Sequence, residues 1–202
     1  MPRPRSFDDD AVIDAAMLAF WRGGYDGTPI GALEEATGVK RISLYNAWGD
    51  KEGLFVAALD RYHEGAKEVY EGTVAGGGLD GIQRLFRAMS APAEEDAPVH
   101  SGCLMVNTVL DVRRMSDPVR RKVEGYRSMI QDAFLTALRN ARDAGEMEGD
   151  DETLAARADF LLATLWGLLA LIRQEGRTTA AGAAAGIAAE TVESWRAAAS
   201  GP

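Results

Sequence analysis

The chain has little with which to build a cross-linked or metal-held framework: one cysteine and two histidines in 202 residues. A lone thiol, Cys103, excludes an intramolecular disulfide and fits a reducing compartment. His100 and Cys103 could begin a metal site, but no third His or Cys lies near them in sequence, so no metal and no cofactor are expected. No stretch of four to eight residues alternates apolar and polar side chains between turn signals, which argues against a sheet. The longest near-continuous apolar run, Phe160–Ile172, falls short of the roughly 20 residues a bilayer requires. Met-Pro-Arg-Pro-Arg-Ser at the start has charge without an apolar segment behind it, unlike a secretory leader. A cytoplasmic protein without membrane partners is expected. Basic residues are also outnumbered, 22 against 31, giving a net charge of −9. Global attraction to nucleic acid is thereby excluded, and any such binding must come from a local patch.

Alanine and leucine dominate the apolar set, which favours helix. Asp8, Asp9 and Asp10 place negative charge at the start of a first helix, where the helix dipole favours it. Ile13, Ala16, Met17 and Phe20 then recur at helical spacing, and Gly23-Gly24 ends the element. Thr28 as N-cap and Pro29 at the first helical position open a second helix that ends at Gly38. A third runs from about Lys40 to Ala47. Asp50 caps a fourth that carries Leu54, Phe55, Ala58, Leu59 and Tyr62 on one face and extends to about Val74. A fifth covers about Leu79–Ser90, and Ala91–Ser101 reads as a loop. Further helices are expected over Gly102–Val112, from Ser116-Asp117-Pro118 to about Ala144, from Asp150–Asp151 to Glu175, and from about Thr179 to Ala199. The fold class is therefore all-α with about nine helices: a helix-turn-helix domain over 1–50 and a second helical domain over 51–202.

Residues 28–48 carry the layout of a helix-turn-helix: a short helix, a glycine turn (Gly38), an apolar residue tucked behind it (Val39), and a second short helix. Around it stand Ala15, Ala16 and Phe20, then Gly24-Tyr25, the Thr28 cap, Ser43-Leu44-Tyr45, and the aromatic-x-x-K-E-x-L sequence from Trp48 to Leu54. That ordered pattern over more than 40 residues resembles the DNA-binding domain of the tetracycline-repressor (TetR) family of regulators. The resemblance implies that Thr28 and Tyr45 donate to phosphates and that Lys51 pairs with a phosphate at the start of the fourth helix. It also implies that Lys40, Arg41, Ser43 and Asn46 face a major groove, where cations suit guanine and asparagine suits adenine. Leu44 and Trp48 are expected to pack the motif's core. Lys40 stands where the family more often has a capping serine or threonine, so this helix start must lean on another group. Gly31 weakens the second helix. Arg3 and Arg5 form a basic arm that either reaches a minor groove or remains a tail.

The second half of the chain says less. A helix apolar around its whole circumference, as over Phe160–Ile172, must be buried on all sides. The resemblance implies a homodimer joined by the last two helices. Leu161, Leu165, Leu168 and Ile172 would meet Ala184, Ile187, Ala188, Thr191 and Trp195 there. A small-molecule effector is expected between the fourth and eighth helices, with Tyr62, Phe86, Met89, Cys103, Met105, Met129, Phe134 and Trp166 as candidate walls of a mostly apolar pocket. Gly102-Cys103-Leu104-Met105-Val106-Asn107 resembles a G-C-L-x-V-N stretch in a subset of the family. A helix N-terminus and a protonated His100 would both stabilise a Cys103 thiolate, so an oxidant or electrophile sensor stands beside an inert buried thiol. With two histidines and no nucleophile–base–acid spacing, an enzyme is disfavoured. A repressor of a palindromic operator, released by a small molecule, leads. A small-molecule binder of the same fold without operator recognition is the alternative.

Overall fold

The computed structural model describes residues 7–89, 91, 97–110 and 116–197. Nine α-helices make up these residues: α1 Asp9–Gly27, α2 Ile30–Thr37, α3 Arg41–Trp48, α4 Lys51–Lys67, α5 Gly78–Met89, α6 Leu104–Leu110, α7 Asp117–Asp143, α8 Asp151–Glu175 and α9 Gly182–Glu193. No strand occurs among them; Met147 and Arg196 form one isolated bridge. The arm residues Arg3 and Arg5 lie outside the described residues.

Three helix starts are capped by an aspartate. Asp8 Oδ1 accepts from Asp10 N at 3.0 Å, Asp50 Oδ1 from Gly53 N at 2.8 Å, and Asp150 Oδ1 from Thr153 N at 2.8 Å, satisfying amides that a first turn leaves without partners. Ser116 occupies the corresponding position of α7, yet its hydroxyl makes no such bond. The glycine stop of α1 is a kink within one element: Gly24 leaves helical geometry (φ 70°, ψ 174°) and one further turn follows. The inward stripe of α1 is Val12, Ala16 and Phe20, with Ile13 and Met17 half-buried at its edge.

The expected fourth helix reaches Val74, but its winding changes. After Lys67 a π-helical segment, Glu68–Val74, is followed by a 3₁₀ turn, Ala75–Gly77. The inward residues explain the change. Ala58, Tyr62, Ala66, Tyr70 and Val74 recur every fourth residue, and all are buried or packed on the core. Four residues overshoot an α-helical turn by about 40°, so such a series drifts off the face; the wider π turn brings it back.

Helices α1–α4 form one packed unit in which Phe20 meets Phe55 edge-on at 4.8 Å and Tyr25 lies 4.9 Å from the same ring. Helices α5–α9 build the larger core, with α5 packed along α7 and α9, and α7 along α8. Direct ties join the two parts. Trp21 Nε1 donates to Gly102 O at 2.9 Å and Arg173 Nη1 donates to Arg22 O at 3.0 Å, while within the first part Trp21 meets Tyr62 edge-on at 5.0 Å. Arg61 clasps Asp14 of α1 with two hydrogen bonds, of 2.6 and 2.9 Å, while its neighbour Asp60 pairs with Lys122 of α7 at 2.7 Å.

Helix α8 is long and apolar enough to cross a membrane by composition, but one side of it packs on this chain's own core. That side corrects an expectation. Leu161, Leu165, Leu168 and Ile172, assigned above to a subunit interface, are at most 3% exposed within the single chain and have no surface left to bury. Ala188 of α9 likewise faces inward. An all-apolar helix gives no sequence signal separating its two apolar faces, and the inward one is a face away from the one expected. The outward side carries Ala156, Phe160 (44% exposed), Ala163, Gly167 and Leu171 (42%). On α9, Ala184, Ile187 (62%) and Thr191 continue outward, and Trp195 packs its ring on Phe160 at 6.2 Å.

Candidate nucleic-acid interface and effector site

The turn between α2 and α3 depends on Gly38, which adopts φ 69° and ψ 6°, a left-handed conformation a Cβ disfavours. Its N–H donates to Glu34 O at 2.9 Å, and Thr37 Oγ1 donates to Leu33 O at 2.6 Å while accepting from Val39 N at 3.2 Å. Lys40 precedes α3 and offers no side-chain cap. The group on which this helix start leans is Glu34 of α2, whose Oε1 accepts from Arg41 N at 2.8 Å. One carboxylate thus couples the two helices and places negative charge at the positive end of α3.

Leu44 is the buried anchor of α3, with Tyr45 and Trp48 half-buried beside it. The opposite side is open. Lys40, Arg41, Ile42 and Asn46 are exposed, and Ser43 is half-buried. Arg41 holds its guanidinium 5.0 Å from the Tyr45 ring centre. That contact braces both side chains on the outward edge.

Thr28 does not fit its expected role. It is 3% exposed, and its hydroxyl is committed to α1, at 2.7 Å from Gly24 O and 3.3 Å from Ala19 O. It neither caps α2, whose N-cap is Pro29, nor offers a hydroxyl to a phosphate. The kink at Gly24 frees a carbonyl that the threonine satisfies, and a Cβ on Gly23 would stand 2.5 Å from its Oγ1. Lys51 is also engaged: Nζ donates to Tyr25 O at 2.6 Å and sits 4.4 Å from the Tyr25 ring centre. Partial burial lowers its pKa, against the opposing pull of Asp26. An ammonium has three donors, so two remain for a phosphate.

The effector candidates fall into groups. Tyr62, Cys103 and Met129 are drawn together by residues that sequence reasoning missed: Tyr70, Tyr126 and His63. The Tyr126 ring lies 5.7 Å from Tyr62, 6.1 Å from Tyr70 and 5.6 Å from His63. Cys103 Sγ is 3.8 Å from Tyr126 Oη, and His63 Nε2 is 3.1 Å from Met129 Sδ. Three of the five tyrosines thus converge where α4, α6 and α7 meet. No local spacing signals this, because the residues come from different helices. Phe86 and Phe134 form a separate stack at 6.4 Å, Met105 is buried, and Met89 and Trp166 are half-buried at the core's edge. Trp166 Nε1 and Asn107 Oδ1 are buried polar atoms with no hydrogen-bond partner among the described residues. Solvent-open grooves flank α4: one of about 570 Å³ includes Tyr62 and Trp21, and one of about 390 Å³ includes His63 and Met129.

Burial raises the phenol pKa of Tyr62, Tyr70 and Tyr126 above the usual range. It also pushes the Cys103 thiol up, although hydrogen bonds from Tyr62, Tyr126 and nearby backbone N–H groups pull the other way. That direction is opposite to thiolate activation. His100, the expected activator, instead turns its Nδ1 to accept from Thr178 N at 3.2 Å. Burial lowers the His63 pKa.

Residues 12–58 match the family described as bacterial regulatory proteins, tetR family, and residues 78–197 match the tetracyclin repressor-like C-terminal domain. Among curated proteins, the uncharacterized HTH-type transcriptional regulator YezE of Bacillus subtilis (strain 168) is 31% identical over 163 residues, covering 80% of this chain and 84% of that protein. The HTH-type transcriptional repressor ComR of Escherichia coli (strain K12) is 32% identical over 155 residues, covering 72% and 70%. Among solved structures, a cysteine mutant of the TetR family regulator CifR, complexed with 26-base-pair double-strand operator DNA, superposes with a TM-score of 0.74 at 28% identity. That superposition covers 96% of this chain and 99% of that one.

Proposed function

The chain belongs to the TetR family of bacterial transcriptional regulators, and from that premise we propose a repressor that binds a palindromic operator as a homodimer and is released by a small molecule. The observation that carries the reading is the helix-turn-helix itself: a left-handed Gly38, a buried Leu44, and a third helix whose outward edge holds Lys40, Arg41 and Asn46. On this reading Arg41 and Asn46 contact base edges, while Lys40, Ser43, Tyr45 and Lys51 hold phosphates. The DNA-reading unit is residues 1–50 closed by the first turns of α4, and the remainder receives the effector and the partner subunit. On this reading the chain acts as a regulator rather than as an enzyme, and it works in the cytoplasm beside its DNA.

The partner subunit sits on the outward face of α8 and α9, where Phe160, Leu171 and Ile187 would otherwise remain in water. The effector enters where α4, α6 and α7 meet, at the Tyr62, Cys103, Tyr126 and Met129 cluster. Binding there favours a tilt of α4, which carries Asp60 and Arg61 and so pulls on α7 and α1 together. The recognition helices then lose the spacing of successive major grooves.

Titrating the full-length protein against the DNA upstream of its own gene tests the reading. A palindromic footprint and a steep fall of affinity with salt are expected. Equal affinity for that DNA and an unrelated duplex of the same length would leave only a small-molecule binder of this fold.

A further inference from the structure

Among the described large apolar side chains, Ile42 is the most exposed, at 76%. It stands in the middle of the recognition face. Phe160, Leu171 and Ile187 belong to the α8–α9 side, whereas Ile42 is the exposed large apolar residue of α3. Lys40, Arg41 and Asn46 surround it, all exposed. Helical spacing puts Ile42 one turn before Asn46 on the same outward side, opposite the buried Leu44. The fold gains nothing from it: Ile42 is not packed on the core, and a β-branched residue is a mediocre choice for an eight-residue helix.

We propose that Ile42 is a specificity-determining residue that reads the 5-methyl group of a thymine in the operator's major groove. This rests on the operator-binding reading above. The thymine methyl is the apolar feature that the major groove displays on its base edges, and an apolar side chain on a recognition helix is its natural partner. Lys40 beside it holds the backbone, Arg41 reaches a neighbouring base edge, and Asn46, one turn on, is suited to adenine. The half-site is accordingly expected to pair a thymine with a nearby adenine.

Selection of full-length protein against a randomised duplex pool would supply the preferred site. Each thymine in it is then replaced by deoxyuridine, which removes only the methyl, and binding is measured by fluorescence anisotropy. One thymine per half-site should matter. Its loss should weaken binding about fourfold in one half-site and about sixteenfold in both, the value of one buried methyl each. Ile42→Ala should bind the thymine and uracil duplexes alike, and Ile42→Val should keep part of the discrimination, both with unchanged thermal melting. A wild-type protein indifferent to uracil at every position, or an Ile42→Ala variant as sensitive as wild type, overturns the proposal and leaves operator binding intact. Enrichment of no sequence at all overturns operator recognition itself.

Discussion

Replacing Gly102 by alanine tests how the effector-side core is joined to the reading head. Gly102 adopts φ 74° and ψ −134°, close to a region open essentially to glycine alone. A Cβ there would lie 2.6 Å from Leu169 O and 3.1 Å from Arg173 Cβ, so α6 and the α8 backbone must separate by several tenths of an ångström. The backbone strain costs about 1–3 kcal/mol, and forcing an atom into a packed contact costs about another 1–3 kcal/mol. Against this, a stiffer unfolded chain returns about 0.4–1 kcal/mol. The net loss is about 1–5 kcal/mol, which for a protein this size lowers Tm by about 2–20 °C. Because the Gly102 carbonyl accepts the Trp21 indole at 2.9 Å, the DNA-binding unit should loosen as well. Thermal and urea unfolding at fixed protein concentration measure the loss. Gly125→Ala is the control: its Cβ would meet no atom within 4 Å on an exposed turn of α7, so it should stabilise by about 0.5–1 kcal/mol. A Gly102→Ala protein melting within about 2 °C of wild type would refute the strain argument.

Leu171→Glu or Ile187→Glu should yield a folded monomer by sedimentation, whereas Leu165→Glu, at a fully buried position, should not fold; a dimeric Leu171→Glu/Ile187→Glu double variant would move the subunit interface elsewhere. Cys103, Tyr62, Tyr70 and Tyr126 all bind their protons more tightly when folded. Their contribution to stability is therefore fully present below the unfolded thiol and phenol pKa values and is lost as pH rises through the folded ones. The urea midpoint should fall above about pH 9, and Tyr126→Phe should flatten that fall; an alkaline midpoint equal to that at pH 7 would contradict it. Glu34→Ala should cost about 1 kcal/mol through the lost cap on Arg41 N–H, and it should weaken DNA binding further than stability alone predicts, with Glu34→Gln restoring most of both.

What was legible in the chain was local. Asp8, Asp50 and Asp150 announced their helices because a capping carboxylate acts within three residues, and Gly38 announced the turn because only its own φ is at stake. The exposed edge of α3 could be read for the same reason. What failed was long-range. Thr28 looks like a cap from its position before Pro29, but the kink at Gly24 turns its hydroxyl backwards. The outward face of α8 could not be distinguished in a uniformly apolar segment. Nor could Tyr70 and Tyr126 be joined to Cys103, since Tyr126 reaches the thiol from α7 and Tyr70 turns inward within the π segment.

Lys51 brings these strands to one measurable number. Its ammonium already holds Tyr25 O at 2.6 Å, a bond that fixes the end of α1 against the start of α4. If its two remaining donors also take a phosphate, Lys40 and Lys51 supply two phosphate-bound cations per protomer and four per dimer. Counterion release then gives a slope of log affinity against log salt of about −3.6. If Lys51 stays wholly internal, two such cations remain and the slope is about −1.8. The first value is expected, because Lys51 stands in the first turn of α4, whose positive end favours an anion. Lys51→Met should therefore flatten the slope by about 2 and also lower Tm through the lost Tyr25 contact. A variant that melts early yet keeps the wild-type salt slope would show that Lys51 holds the fold and never meets the DNA.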